Sequence, residues 1–345
     1  MRYTEENVHG LLPVYKPSGM VSKDVSRIVS KRFGRIKMGH VGTLDPMAEG
    51  VLPVLLGRST KLQDYLLQSE KTYTFDLKLG ECTDTMDRTG VKVKSLDLPA
   101  FDLRSERSKD AFSNLLDEVF SHFSGPQVQV PPLYSAVKLK GKPLYEYARA
   151  GRGDEVDLTS LSRSVEIYGL ELLGISMDPA GRPESLAIRA RCSKGTYVRV
   201  LGENIASALG SCGHLTSLLR ETTAGVSLNE CLSLEKIENT DRLDTLLISH
   251  DAIRLPLERV MLSANQIRDV ECGRRFEIDV EQLVNSGVPC ESERVSPSDL
   301  LGKLVHLKSP ASSGDGEKSL AIGKVCGGEK PEVSNLMIKI VRGLQ

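Results

Sequence analysis

The chain has 345 residues, of which 40% are apolar and 26% are charged, so wholesale disorder is excluded and one large domain or two are expected. The formal net charge is −1, so the total charge does not indicate a nucleic-acid partner, and any basic surface must come from local clustering. The seven cysteines form no C-x-x-C pair, so we expect neither a disulfide framework nor a zinc site. The apolar runs are too short for a membrane span and the N-terminus lacks a signal segment, so we expect a cytoplasmic protein.

Short strands and helices alternate in the first part of the chain, around one glycine-rich loop. In chain order, the pattern predicts a buried strand at 11–15, a basic helix at 23–33 with Ser22 as its N-cap and Gly34 at its end, a loop at 39–50, a buried strand at 51–56, a helix from Ser59 or Thr60 to Gln68, and a strand at 71–80. The strand at 71–80 has the clearest signal, because its apolar residues alternate with polar ones.

The rest of the pattern predicts an α+β fold with a central mixed or mostly antiparallel sheet, because strands and helices follow one another without regular βαβ spacing. In chain order, it predicts a helix at 108–122, a loop at 124–132, a strand, turn and helix at 133–150, strands at 164–176 and 185–192, and a helix at 197–209 followed by Gly210. We expect this domain to span residues 1–250. Residues 255–345 predict a smaller, mostly β unit with strands at 303–307, 319–325 and 336–341.

Basic residues concentrate in three segments of an otherwise balanced chain. Residues 15–40 hold seven Lys and Arg against one acid, residues 137–152 hold five against one, and residues 185–201 hold four and no acid. Acidic residues collect elsewhere, notably in 258–299. This segregation indicates one basic face suited to phosphate, although each cluster taken alone is equally consistent with an ordinary solvated surface.

The loop GHVGTLDPMAEG at 39–50 places Asp45 between two apolar segments and directly before a proline. The Asp-Pro step favours extended backbone, and the surrounding glycines permit close approach of a ligand. An ionised carboxylate at this point can act as a nucleophile or as a general base. The alternative is a turn aspartate that bonds its own backbone, which is the commoner case for an isolated Asp-Pro step.

Three other side chains could complete a site around Asp45. His40 lies in the same glycine-rich loop, Tyr73 needs a partner for its hydroxyl if its strand is buried, and Arg199 begins an apolar helix. A fixed guanidinium could keep the carboxylate ionised and oriented, so we hypothesise this role for Arg199. Each residue also has a simpler interpretation, as a buried histidine, a core tyrosine and a surface arginine.

Five sequence blocks in a fixed order connect these residues. They are KPSGMVS at 16–22, GHVGTLDPMAEGVLPV at 39–54, KTYTFDLKLGECTDTMDRTG at 71–90, QVPPLYSAVKLKGKPLYEYARAG at 129–151 and CSKGTYVRVLGENIASALGSCGHLTSLLRE at 192–221. Together they closely resemble the TruB family of tRNA pseudouridine synthases, relatives of dyskerin, over residues 10–225. The region beyond 255 loosely resembles a PUA-type RNA-binding domain.

The resemblance implies a set of site residues. Asp45 matches the catalytic aspartate, Tyr73 the active-site tyrosine and Arg199 the arginine that pairs with the aspartate. The implied substrate-binding residues are His40 near displaced loop nucleotides, Lys16 and Pro17 at the border of the site, Gly42 in the catalytic loop, Leu218 in the uracil pocket, Lys138 and Lys140 in a thumb-like loop at 126–155, and Arg220. Leu219 stands where many relatives carry a first arginine before the one at Arg220, which puts one phosphate contact in doubt.

The resemblance also implies an activity, the conversion of uridine 55 in the T-loop of tRNA to pseudouridine, with no cofactor and no metal, and we expect a monomer. Attack of the carboxylate on C1′ and abstraction of the C2′ proton are both open as routes. Two other functions stay open, namely a pseudouridine synthase that acts on another RNA and a non-catalytic RNA-binding or chaperone protein. A protein that only binds RNA has no need of a loop carboxylate facing the phosphates. The presence of Asp45 therefore favours an enzyme over a binding protein.

Overall fold

Strands dominate the structure, a computed structural model that describes residues 3–4, 8–99, 101–285, 300–310, 317–327 and 335–344. The strands up to residue 249 are β1 (Gly10–Lys16), β2 (Met38–His40), β3 (Glu49–Leu56), β4 (Lys71–Leu79), β5 (Glu81–Thr83), β6 (Lys92–Ser95), β7 (Gly125–Gln129), β8 (Lys138–Leu139), β9 (Lys142–Pro143), β10 (Arg163–Met177), β11 (Pro183–Cys192), β12 (Gly213–Thr223), β13 (Val226–Ser227) and β14 (Ile248–Ser249). The later strands are β15 (Glu258–Met261), β16 (Phe276–Asp279), β17 (Leu304–Ser309), β18 (Lys318–Cys326) and β19 (Asn335–Gly343).

The helices are fewer and mostly short. They are α1 (Ser22–Arg32), α2 (Gln63–Leu66), α3 (Glu106–Phe123), α4 (Leu144–Arg149), α5 (Val198–Ala208), α6 (Leu234–Asn239), α7 (Ala264–Glu271) and α8 (Val280–Asn285). α3 and α5 contribute to the largest buried apolar cluster of the main sheet, together with β4, β11 and β12.

One mixed sheet forms the scaffold of the first 249 residues. Among the described residues its strands follow the order β14-β1-β3-β12-β4-β11-β10-β7, with β2 added to β3 and β13 to β12. β3 and β12 pair in parallel, and the other neighbours in this order pair antiparallel. The predicted α+β class with a central mixed sheet is therefore confirmed.

Several strands were not expected from the sequence, among them β7 and β12 of the main sheet. The segment 124–132 was expected to be a loop because of its glycine and prolines, yet β7 forms there at the edge of the sheet, where Pro126 lies opposite Glu166 of β10. An edge strand tolerates proline because its outer side needs no ladder hydrogen bond. β12 was not predicted at all, since bulges opposite β4 interrupt its alternation.

The helices near the N-terminus also differ in detail. Ser22 is not the N-cap of α1, because Val21 takes that position and the Ser22 hydroxyl bonds the main chain of Leu44 instead. The predicted helix up to Gln68 begins as a 3-10 helix (Gly57–Leu62) and continues as the single turn of α2. Both differences come from tertiary contacts that local sequence does not encode.

A second sheet is built from the C-terminal region. In the described part of this region the strand order is β15-β17-β18-β19-β16, which is consistent with the expected PUA-like unit. Ile322 and Leu344 of this unit pack in one buried cluster with Leu11 and Leu55 of the main sheet. The division at 250–255 stays a prediction, and residues 286–299 of the acidic segment lie outside the described residues. No helix in the described ranges is long and apolar enough to cross a membrane.

Candidate active site

Lys16, at the end of β1, fixes the backbone of the loop that carries Asp45. Its buried ammonium donates to the carbonyls of Pro17, Pro46 and Ala48 at 3.0, 3.2 and 2.5 Å. Burial lowers the pKa of Lys16 to about 8, while the negative charge of Asp45 acts in the opposite direction. All three donors of the ammonium are engaged by main-chain acceptors, so Lys16 positions the loop and has no donor left for a ligand.

Two serines of the 16–22 segment hold the same loop on its other sides. Ser22 Oγ accepts a hydrogen bond from Leu44 N at 2.9 Å and donates to Leu44 O at 3.0 Å. Ser18 Oγ donates to Met47 O at 2.9 Å. Asp45 lies between these anchored residues, so its carboxylate is placed by rigid backbone and not by a flexible loop.

Arg199, in the first turn of α5, reaches the Asp45 carboxylate from inside the protein. Its side chain is 3% exposed and its Nε lies 2.8 Å from Asp45 Oδ2, whereas the Asp45 side chain is 35% exposed. The contact is an ion pair without hydrogen-bond geometry, since Nε–H is not directed at a carboxylate oxygen. The terminal nitrogens of Arg199 donate to Thr85 O at 2.8 Å and to Tyr134 O at 3.0 Å. A surface arginine is therefore excluded.

A second carboxylate, Asp87, faces the same guanidinium and was not singled out in the sequence. Its Oδ2 lies 3.7 Å from Arg199 Nη1, and the residue is 4% exposed. Its Oδ1 accepts from Thr85 Oγ1 at 2.9 Å, Thr89 N at 2.9 Å and Thr89 Oγ1 at 2.6 Å. The available signal was the run TDTMDRTG at 83–90, in which threonines surround an aspartate.

Tyr73 of β4 and Arg220 of β12 form the floor beneath the loop. The two residues are cross-strand neighbours, and the Tyr73 hydroxyl is buried beside the Arg220 side chain. Burial raises the pKa of Tyr73, so the phenol keeps its proton. Arg220 Nε donates to Val51 O at 2.7 Å and Nη2 donates to Gly42 O at 2.9 Å, which ties the floor to the loop.

The placement of Arg220 does not agree with the predicted substrate contact. Arg220 is 1% exposed and its guanidinium bonds main-chain carbonyls, so it cannot reach a phosphate from this position. Gly42 makes room for it, because a Cβ at this residue, where φ is +76°, would lie 3.2 Å from Arg220 Nη1. Arg220 and Gly42 are thus assigned to the support of the loop. Leu219 lies in register with Glu49 of β3 and is only partly exposed.

An apolar wall stands beside the carboxylate. Leu218 lies opposite Phe75 in the register of β12 and β4, and it belongs to the same buried cluster as Leu44, Met47 and Tyr73. These buried side chains pack beneath the loop that carries Asp45.

His40 lies at the rim of the site, at the end of β2. Its Nδ1 is 3.0 Å from Ser26 Oγ of α1, and its Nε2 is 3.2 Å from Thr43 Oγ1. Burial lowers the pKa of His40, and the positive charge of Arg220 acts in the same direction, so the ring is neutral at pH 7. A neutral imidazole can give up its two hydroxyl partners and form hydrogen bonds to a nucleotide instead. No charged group has to be desolvated in this exchange.

Comparison with known proteins decides the family. Residues 30–198 match the model of the TruB family pseudouridylate synthase N-terminal domain. The tRNA pseudouridine synthase B of Caldanaerobacter subterraneus subsp. tengcongensis is 42% identical over 232 residues, covering 67% of this chain and 75% of that protein. The chain belongs to the TruB family. The enzyme of the same name from Psychrobacter cryohalolentis is 38% identical over 285 residues, which cover 81% of this chain and 74% of the Psychrobacter protein.

Solved structures support the fold of this TruB-family protein. A crystal structure of a Cbf5-Nop10-Gar1 complex superposes with a TM-score of 0.64 at 20% identity, covering 99% of this chain and 89% of the matched chain. An H/ACA RNP bound to a substrate RNA containing 2′-deoxyuridine gives a TM-score of 0.62 at 18% identity, with coverages of 99% and 89%. At these identities the likeness concerns the architecture alone.

The thumb-like loop of this family member is only partly a separate element. Its first residues, expected from 126, belong to β7 in the main sheet, and the β8–β9 hairpin and α4 follow. Lys138 and Lys140 on the hairpin are exposed, so their predicted contact with substrate stays a prediction that the geometry permits. The base of the loop is joined to the site by the bond from Arg199 to Tyr134 O.

The sequence-predicted catalytic residues are thus brought together, whereas the predicted binding residues divide into two groups. Lys16, Gly42 and Arg220 support the loop from within, while His40, Lys138 and Lys140 have surface available for a ligand. Pro17 is half-buried and supplies a carbonyl to Lys16. In the described part of the chain no group of three or more His, Cys, Asp or Glu side chains is arranged to hold a metal ion.

Proposed function

We propose that this protein converts uridine 55 in the T-loop of tRNA to pseudouridine. The observation that carries the proposal is the partly exposed Asp45 carboxylate held 2.8 Å from a buried arginine, on a loop whose backbone is fixed on every side. Membership of a pseudouridylate synthase family and relatives named tRNA pseudouridine synthase B support the RNA substrate. The T-loop position rests on the resemblance of the five sequence blocks.

The reaction is an isomerisation whose atoms balance within one nucleotide. The N1–C1′ bond breaks, a C5–C1′ bond forms, a proton leaves C5 and N1 ends with a proton. Asp45 can attack C1′ as a nucleophile, or it can remove the C2′ proton to give a glycal. In both routes the carboxylate acts in its ionised form, and the Arg199 guanidinium provides a positive charge 2.8 Å from Oδ2.

The uridine must leave its stack before Asp45 can reach the ribose. Flipping costs on the order of a few kcal/mol. Contact of the base with Leu218 and with the Tyr73 ring, together with hydrogen bonds to the anchored loop, offsets this cost. In this proposal the rim residue His40 contacts the nucleotides that move aside, and the exposed Lys138 and Lys140 bind phosphates.

The experiment is chemical mapping of pseudouridine in unmodified tRNA transcripts incubated with wild-type protein or with Asp45→Asn. We expect modification at uridine 55 with wild type and none with the variant, while both bind the tRNA equally well. Modification at full rate by Asp45→Asn would refute the catalytic role of the carboxylate. Pseudouridine at another tRNA position, or only in ribosomal RNA, would refute the substrate assignment.

A further inference from the structure

Helix α1 carries a row of positive charge on its outer face. Lys23, Arg27 and Lys31 are four residues apart and all exposed, so they follow one another along one side of the helix. Successive charges are separated by about 6 Å along the helix axis. This set of three residues is called the α1 row below.

The α1 row is not neutralised within the protein. Among the described residues, Lys23 and Lys31 have no hydrogen-bond or ion-pair partner. Arg27 pairs with Asp24 at 2.8 Å, but both side chains are largely exposed, at 71% and 47%, so the pair contributes little. In a chain with 45 basic and 46 acidic residues, three cations beside a single acid are a local excess of positive charge that can attract an anionic partner.

The helix that carries the row is fixed in place. Arg32, on another side of α1, donates to Ile237 O and to Thr240 O of the α6 region at 3.4 and 2.9 Å. Val25 and Val29 are fully buried beneath the helix. The three charges are therefore presented on a rigid element, which lowers the entropy lost when a ligand binds.

The adjoining face of α1 touches the candidate active site. Ser22 bonds the main chain of Leu44, the residue before Asp45, and Ser26 contacts the His40 ring at 3.0 Å. Lys23 and Arg27 directly follow these two serines, about 100° further round the helix, and Lys31 lies one turn beyond Arg27. A chain bound at Asp45 that leaves the site past His40 therefore meets the α1 row next.

We propose that the α1 row binds the phosphates of the substrate RNA strand that leaves the site past His40. The inference rests on the proposed function, since it takes the RNA at Asp45 as given. The row spans about 12 Å along the helix, and its neighbouring charges are about 6 Å apart. This spacing is shorter than the screening length of about 8 Å at physiological salt, so neighbouring charges act on the same stretch of RNA backbone. It assigns to RNA binding three residues for which the site itself supplies no role.

The test is the salt dependence of binding to an unmodified T-arm hairpin transcript. The triple variant Lys23→Gln/Arg27→Gln/Lys31→Gln is compared with wild type and with a control, Arg104→Gln/Arg107→Gln/Lys109→Gln, which removes the same charge from exposed positions at and before the start of α3. Thermal unfolding of all three proteins verifies that each is folded. Turnover at saturating RNA is measured in parallel, because the row touches no reacting atom.

We expect the slope of log K against log salt to become shallower by about 2 in the α1 variant, at roughly 0.7 for each lost phosphate contact. At low salt its affinity should fall at least tenfold, while saturated turnover stays within about twofold of wild type and the control keeps the wild-type slope. Equal slopes for the two variants would overturn the proposal.

Binding and turnover separate this proposal from the proposed function. Wild-type protein that binds the hairpin without making pseudouridine would refute the activity, while the slopes would still decide the role of the α1 row. Wild-type protein that modifies the hairpin, with an unchanged slope in the α1 variant, would refute the α1 row alone. Absence of RNA binding by wild type would refute both.

Discussion

At the scale of single residues, the site is organised around one buried guanidinium. Arg199 joins Asp45 on the glycine-rich loop, Thr85 and Asp87 after β5, and Tyr134 at the base of the thumb-like loop. A buried cation is tolerated only when it is paired and hydrogen bonded, so these partners also fix the position of Arg199. The carboxylate is consequently oriented by the fold before any substrate arrives.

Arg199→Lys tests this arrangement, because it keeps the charge and removes the planar fork of donors. A lysine has one side-chain nitrogen and cannot take the separate positions of Nε at Asp45, Nη1 at Thr85 O and Nη2 at Tyr134 O. We expect kcat to fall by about 100-fold, the order of loss produced by misplacing a catalytic group, with RNA affinity within a few-fold of wild type. Single-turnover kinetics and a binding titration measure the two effects, and unchanged kcat would show that charge alone suffices.

Lys16→Met tests the anchoring of the loop. The change removes three donors from the carbonyls of Pro17, Pro46 and Ala48 and leaves them unsatisfied in a buried place. We expect a loss of about 2–4 kcal/mol in the free energy of unfolding and a lower kcat in the fraction that is folded. Urea unfolding and kinetics at 15 °C check both effects, and a raised KM with unchanged kcat would instead indicate direct contact with substrate.

At the scale of elements, the parallel contact between β3 and β12 places the loop over its floor. Gly50 pairs with Arg220, and a Cβ there would lie 2.3 Å from Arg220 O. Close approach of the two strands is thus possible only with glycine. This contact brings Arg220 under Gly42, far from it in sequence, and so explains why the loop and β12 share a site.

Gly50→Ala should therefore destabilise the protein much more than Gly141→Ala. Both residues have positive φ, +103° and +84°, so both substitutions strain the backbone, by about 1 kcal/mol or more. Only Gly50 also meets another strand, since the space around Gly141 is open. We expect an additional loss of at least about 2 kcal/mol for Gly50→Ala in chemical unfolding, and equal losses would show that β3 and β12 can separate freely.

The elements recovered from the sequence are those with an uninterrupted periodic pattern. β4 alternates along its whole length and α5 has helical spacing, and both lie where they were predicted. β12 and β7 were missed, because bulges, a proline and an edge position break the pattern. Neighbours in the sheet decide these segments, and local propensity does not.

At the scale of the whole molecule, the two sheets meet in a buried contact that includes two histidines. His250 lies after β14 and His306 in β17, and they are 3% and 2% exposed. Burial lowers the pKa of each to about 4, and nearby positive charges, including Arg58 beside His250 and Lys308 beside His306, act in the same direction. Neither Nε2 has an acceptor among the described residues.

These histidines should make stability depend on pH. Their folded-state pKa lies below the unfolded value of 6.5, so the unfolded chain binds more protons between about pH 6.5 and 4. The two histidines contribute fully to the free energy of unfolding above this window. Their contribution falls by a few kcal/mol as the pH drops through the window, and it does not change further below it.

Urea unfolding between pH 4.5 and 7.5 measures the effect, with His250→Gln/His306→Gln as the control that removes both titrating groups. The difference in unfolding free energy between wild type and control should shrink or reverse as the pH falls. A constant difference across the range would show that the two rings do not titrate on unfolding.

The sequence by itself determined the family and the candidate site residues. The order of its blocks indicates the family, and the Asp-Pro loop, the tyrosine of an alternating strand and the arginine of CSKGTYVR make Asp45, Tyr73 and Arg199 candidates, because residue type and local pattern are encoded in short stretches of chain. Only the tertiary structure decided which polar residues face a ligand and which support the loop. Lys16 and Arg220 resemble binding residues in the sequence, yet they are buried under the loop, since burial depends on strands from distant parts of the chain meeting in one sheet.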